Sequence, residues 1–170
     1  IELATGKIRG VEALARWRHP QHGIVAPIAF ITILEENGQI EALTRVMLAR
    51  SAEQCRSWRN AGLDASVSVN VSVKSLGDVH FAESMTELVR RHHLDPRHMI
   101  IEVTETTAAT DVGRALENLA RLRMNGFGLS IDDYGTGYSS MQQLGRIAFT
   151  ELKIDQSFVM NAVKQESSRV

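Results

Sequence analysis

Two periodicities take turns along the chain: apolar residues at every second position predict a strand, and apolar residues every three or four positions predict a helix. Residues 8–17 alternate, with Ile8, Gly10, Glu12, Leu14 and Arg16 on one face and Val11, Ala13, Ala15 and Trp17 on the other. Pro20, Gly23 and Pro27 then mark 18–27 as a loop. Helices are predicted over 28–36, closed by Asn37 and Gly38, and over 40–60, where Leu43, Val46, Met47, Cys55 and Trp58 gather on one side. Residues 66–72, SVSVNVS, have a strict period of two, with valines against Ser66, Ser68, Asn70 and Ser72. A helix over 81–93 carries Phe81, Met85, Leu88, Val89 and His92 and is broken by Asp95 and Pro96. A strand over 99–105 starts apolar and ends acidic. Val112, Ala115, Leu116, Leu119 and Leu122 predict the next helix, stopped at Asn125 and Gly126. Leu129 and Ile131 alternate with Ser130 and Asp132 in a strand that stops at Asp132 and Asp133, ahead of Gly135 and Gly137. A short helix near 139–144, a strand over 150–155 and a helix from Gln156 complete the pattern.

Strands alternating with helices at this spacing predict a parallel sheet with right-handed crossovers. An open doubly wound sheet and a closed barrel both satisfy that order. The valine parity favours the barrel, because each strand gives an aliphatic face to helices and a small or polar face to a crowded interior. The expected fold class is α/β, a TIM-like (β/α) barrel that is incomplete here, with about five or six strands.

Composition narrows the function without naming it. The chain has 170 residues, enough for one core, and a formal net charge of −1, so no global basic field grips a nucleic-acid polymer. One cysteine, Cys55, excludes an internal disulfide and fits a reducing, cytoplasmic setting. No apolar run approaches the roughly 20 residues that span a bilayer. The first residue is Ile, and the final NAVKQESSRV stops inside a predicted helix, so the expectation is a piece of a longer protein. No glycine-rich phosphate loop precedes a helix, and no Gly-x-Ser-x-Gly or Cys-His pattern points to a covalent mechanism. His19 and His22, in the predicted loop, lack further partners for a metal site.

The polar parities converge. Glu12 and Arg16 share one face of their strand, and Asn70, Glu102, Asp132 and Lys153 each lie opposite the helix-facing aliphatics of theirs. All but Glu12 sit at or near the carboxyl end of a strand, where barrel active sites are built. Carboxylates with one amide, and no His or Cys, suit Mg²⁺, Mn²⁺ or Ca²⁺ rather than zinc. Asp132 and Asp133 can each serve a different ion, with Asp132 bridging. Two ions about 3.5–4 Å apart generate hydroxide and stabilise in-line attack on phosphorus. Arg16 would then hold a phosphate oxygen, and Lys153 would orient or deprotonate the attacking water.

Glu12-Ala13-Leu14 followed by Arg16 resembles the signature of the EAL domains, bacterial phosphodiesterases acting on cyclic di-GMP. The likeness runs on through VNVS at 69–72, EVTET at 102–106, DDYGTGYSS at 132–140 and LKID at 152–155, in the family's order. It implies metal-dependent hydrolysis of cyclic di-GMP to linear pGpG in the bacterial cytoplasm, with two Mg²⁺ or Mn²⁺ ions. Glu12, Asn70, Glu102 and Asp132 match one metal's ligands, with Asp132 shared and Asp133 serving the second ion. Lys153 matches the lysine that contacts the nucleophilic water, and Arg16 and the backbone at Leu14 match substrate contacts. Glu105 resembles the glutamate that braces the 133–140 loop, which in the family couples the site to a homodimer interface. Asp155 either lines the site or serves a structural role at its strand end.

The resemblance also marks departures. Residues 1–170 read as a partial EAL domain, without the start of the first strand and the last two strand–helix units. Those units carry a further metal-binding Glu and a substrate-contacting Gln, so this stretch alone is expected to lack turnover. An upstream sensory or receiver module is implied for the parent chain. The alternative reading is a catalytically inactive module that binds cyclic di-GMP as a receptor.

Overall fold

Val67, Val69 and Val71 are all buried, as are Met99, Ile101 and Val103 and, further on, Leu129 and Ile131. These alternating positions form the helix-facing side of a sheet, and the computed structural model, which describes residues 1–104, 113–135 and 149–161, shows what they pack against. The strands are β1 (Gly10–Ala13), β2 (Trp17–His19), β3 (Gly23–Val25), β4 (Ser66–Asn70), β5 (Met99–Thr104), β6 (Gly128–Tyr134) and β7 (Glu151–Ile154). The helices are α1 (Ile31–Glu36), α2 (Ile40–Asn60), α3 (Phe81–Arg91), α4 (Gly113–Met124) and α5 (Gln156–Asn161). Leu48, Ala52 and Cys55 from α2, Met85 and Val89 from α3, and Leu119 and Leu122 from α4 join the strand aliphatics in one core. Truncating a residue such as Leu122 to Ala would cost about 2–5 kcal/mol through lost burial and the cavity left behind.

The main sheet has the order β1-β4-β5-β6-β7, and every pairing in it is parallel. Sequential order, with α2, α3 and α4 against one face, selects the barrel over the open doubly wound sheet. The decisive measure is the distance between edges. In a flat sheet, β1 and β7 would stand four strand spacings apart, roughly 19 Å. Lys153 Nζ on β7 instead lies 3.1 Å from Glu12 Oε2 on β1. The sheet is therefore curled into an incomplete TIM-like barrel, its small and polar face inward.

Two expectations need correction. The predicted strand over 8–17 stops at Ala13, and the predicted loop over 18–27 contains an antiparallel hairpin of β2 and β3, with Trp17 opposite Val25 and His19 opposite Gly23. Three-residue strands around Pro20 and Gly23 leave too short an alternation to stand out from the breakers. The strand at Asp132 and Asp133 also does not stop there but continues to Tyr134. The helix predicted near 139–144 and Glu105 lie outside the described residues. Elsewhere the correspondence is close: the 40–60 helix has the predicted bounds, and the 81–93 helix is two residues shorter.

Cross-strand register sets the levels inside the curl. Glu12 is level with Ser68, Asn70 with Glu102, Glu102 with Ser130, and Thr104 with Asp132. Gly128 keeps the lower part of β6 close to its neighbour. A Cβ there would sit 2.9 Å from Ile100 Cγ1, inside van der Waals contact.

Candidate active site

Glu102 occupies the middle of β5 and points into the curl, where it is fully buried. Neither carboxylate oxygen receives a well-directed hydrogen bond from the described residues. Its charge is met by Lys153 Nζ, 2.7 Å from Oε1 as an ion pair. Burial pushes the Glu102 carboxyl above the usual range, against the pull of Lys153. Burial works against the Lys153 ammonium too, but its bonds to Glu102 and Glu12 outweigh that and raise its pKa. A buried acid short of donors is costly unless a cation completes its surroundings.

Three further strands bring groups to the same place. One carboxylate oxygen each from Glu12, Glu102 and Asp132 lie within 4.8 Å of one another, a spacing that can hold a metal ion. Asn70 on β4 donates from Nδ2 to Glu12 Oε1 at 2.7 Å, which fixes the Glu12 side chain. Lys153 Nζ is 3.9 Å from Asp132 Oδ1. The donor set is oxygen-rich, as Mg²⁺ or Mn²⁺ requires, and the buried Glu102 carboxylate, met among the described residues only at Oε1 by Lys153, gives a cation something to satisfy. The residues therefore fit such an ion.

Asp133 reaches this neighbourhood by a backbone irregularity. Between β6 and β7, Ile131 pairs with Leu152 but Tyr134 pairs with Ile154, so β6 holds one extra residue at Asp132–Asp133. Asp133 takes φ 56, the left-handed region that Asp tolerates better than most residues. A bulge of this kind re-aims side chains that would otherwise face opposite sides. The electrostatics agree. Burial raises the Asp133 carboxyl, and the charges of Asp132 and Asp155 raise it further.

Arg16 and Asp155 are arranged differently from the converging acids. Because β1 ends at Ala13, strand parity does not carry Arg16 inward; its guanidinium is exposed, and Nη1 donates to Ala15 O at 2.7 Å. Asp155 Oδ1 accepts from the backbone N of Ser157 at 2.8 Å and also bonds its hydroxyl. These bonds hold its carboxyl below the usual range and cap α5, while its charge also reaches Asp133. Leu14 is half exposed and lines a groove of about 310 Å³ beside the acids, with Pro27, Ile31, Met47, Asn70 and Glu102. Two contributors escaped the sequence reading. Ser68 lies beside Glu102 and weakly favours its ionised form, a placement that the period of β4 already contained. Glu35, at the end of α1, lines the groove without any periodic signal.

Fold and site together define an incomplete (β/α) barrel with an acidic mouth whose carboxylates are spaced to hold a cation. The family model for the EAL domain matches residues 1–170, and the chain belongs to that family. It is 41% identical over 155 residues to MucR of Pseudomonas aeruginosa, a bifunctional diguanylate cyclase/cyclic di-GMP phosphodiesterase, covering 91% of this chain and 23% of that protein. It is 33% identical over 168 residues to RocR, a cyclic di-GMP phosphodiesterase of the same organism, covering 99% of this chain and 43% of that protein. The chain thus spans less than half the length of these relatives. A solved MucR phosphodiesterase in complex with cyclic di-GMP superposes with a TM-score of 0.86 and 39% identity, over 94% of this chain and 65% of that one. Among the described residues no helix is long and apolar enough to cross a membrane.

Proposed function

We propose that these residues form the metal and substrate site of a phosphodiesterase that opens cyclic di-GMP to linear pGpG. The observation that carries the reading is the meeting of Glu12, Glu102 and Asp132 within 4.8 Å, next to Lys153. Glu12, Asn70, Glu102 and Asp132 would hold one Mg²⁺ or Mn²⁺, with Asp132 shared and Asp133 holding a second. Bound there, the ions would lower the pKa of water and neutralise charge on the phosphate. Lys153, held by the Glu102 and Glu12 carboxylates, would orient or deprotonate the attacking water. Water adds to one phosphorus, one P–O(3′) bond breaks, and the 3′ oxygen leaves with a proton from solvent, giving pGpG. Arg16, on the exposed stretch after β1, would exchange its bond to Ala15 O for one to a phosphate, and Leu14, which lines the groove, would contact the substrate through its backbone.

A homodimer, an upstream sensory or receiver module, and a cytoplasmic setting belong to the same proposal and rest on family membership. The test is Mn²⁺-dependent conversion of cyclic di-GMP to pGpG by the protein that carries these residues, with Glu12→Ala and Asp132→Ala beside it. Turnover abolished in both variants, with the fold retained, supports the enzyme. Unchanged turnover refutes the site, and tight binding without turnover in the unmutated protein would make it a receptor.

A further inference from the structure

The helix α1 forms one wall of the groove, yet none of its six residues is buried. A helix of that length does not persist on its own propensity, so something outside it must hold it in place. Its flanks are anchored by Phe30 and Ile40, which are buried. Its last turn is held by polar bonds to the chain just beyond β4. Ser72 donates its hydroxyl to Glu35 Oε1 at 2.6 Å, a short, half-buried, charge-assisted bond. Lys74 Nζ donates to the Glu35 carbonyl at 3.4 Å, covering a helix-end oxygen, while the Lys74 backbone N donates to Ser72 Oγ at 3.2 Å. Ser72 is two residues past Asn70, just beyond the end of β4, and Asn70 in turn donates to Glu12 at 2.7 Å. The groove wall and the acidic cluster are therefore each bonded to the same short stretch of chain, residues 70–72.

We infer that Glu35 is a positioning residue: through Ser72 it locks α1 to the strand end bearing Asn70 and so sets the groove for substrate. This rests on the phosphodiesterase reading for its kinetic consequence but not for the lock itself. The charge of Glu35 strengthens the bond, but the essential part is an acceptor oxygen, which glutamine retains.

The test uses Glu35→Ala, Glu35→Gln, Ser72→Ala and the Glu35→Ala/Ser72→Ala double variant in the protein carrying these residues. Hydrogen exchange of the 31–36 amides and KM and kcat for cyclic di-GMP with Mn²⁺ are the readouts. Each alanine variant is expected to speed exchange in α1 and raise KM about tenfold at nearly constant kcat, the equivalent of one charge-assisted hydrogen bond. The double variant is expected to be no worse than either single, and Glu35→Gln to recover most of both effects. Unchanged α1 exchange in the alanine variants overturns the lock. Faster exchange with unchanged KM, additive losses in the double variant, or a Gln variant as impaired as Ala overturns the positioning role. If the unmutated protein shows no turnover, the phosphodiesterase reading fails instead, and the lock stands or falls on the exchange measurement.

Discussion

Lys153 Nζ lies 2.7 Å from Glu102 Oε1 although β6 separates their strands. Inward side chains from alternate strands share a layer in a barrel, and here that layer pairs a fully buried acid with its base. Lys153→Met is expected to lower stability by about 2 kcal/mol, less than the roughly 3–5 of a wholly buried pair because Lys153 keeps some water. Glu102→Gln removes the buried charge and is expected to be nearly neutral, and Lys153→Met in that background to cost little. Urea midpoints of the four proteins at pH 7 measure the coupling; equal costs of Lys153→Met in both backgrounds would show that the pair is not energetically linked.

A cation that satisfies the Glu102 oxygens binds the folded chain and not the unfolded one. Mn²⁺ at a hundredfold excess over its Kd is expected to stabilise the fold by about 2.7 kcal/mol, and a chelator to reverse the gain. Asp132→Asn should lose most of that gain while changing little without metal. Thermal melts with and without Mn²⁺ decide it.

Asn118 on α4 makes three bonds, two of them buried and one half-buried, that hold the turn after β4. Its Nδ2 donates to Leu76 O at 2.8 Å and Asp78 O at 2.7 Å, and its Oδ1 accepts from Ala82 N at 3.2 Å. Asn118→Ala strands the Leu76 carbonyl and the Ala82 N–H, while Asp78 O keeps its bond from Phe81 N, so a loss of about 3 kcal/mol is expected in chemical denaturation. A loss within a few tenths would mean that the turn is held by packing alone.

Asp95 precedes the 3-10 turn Pro96–His98, and its side chain accepts from Arg97 N at 3.0 Å. The Arg97 guanidinium, followed by that backbone bond, pulls its carboxyl down to about 2. The unfolded value is near 3.9, so the folded state is favoured by ionisation and the contribution is complete above about pH 4. It is lost as pH falls through about 2. The stability gap between the parent protein and Asp95→Asn should stay constant from pH 5 to 8 and close towards pH 2, followed by urea denaturation across that range.

Sequence pattern reached far into this molecule because the barrel separates its two faces cleanly. Alternation alone put Ser68, Asn70 and Glu102 opposite the buried valines and isoleucines, and Lys153 opposite Leu152 and Ile154, which are exposed here; the curl of the sheet did the rest. It failed where the backbone departs from a regular period. The β2–β3 hairpin is too short to show alternation, and overextending β1 carried Arg16 to a face that its exposed loop does not keep. Lys153 reaching across to Glu12 depends on curvature, which no single strand encodes.

The extra residue at Asp132–Asp133 carries a lesson for anyone moving this site elsewhere. On an ideal, unbroken strand, neighbouring aspartates aim to opposite sides, so a transplanted Asp-Asp pair would deliver one carboxylate and waste the other. A graft must bring the kink along with the acids, because straightening the strand would turn a twin-carboxylate rim into a single one with both aspartates still present.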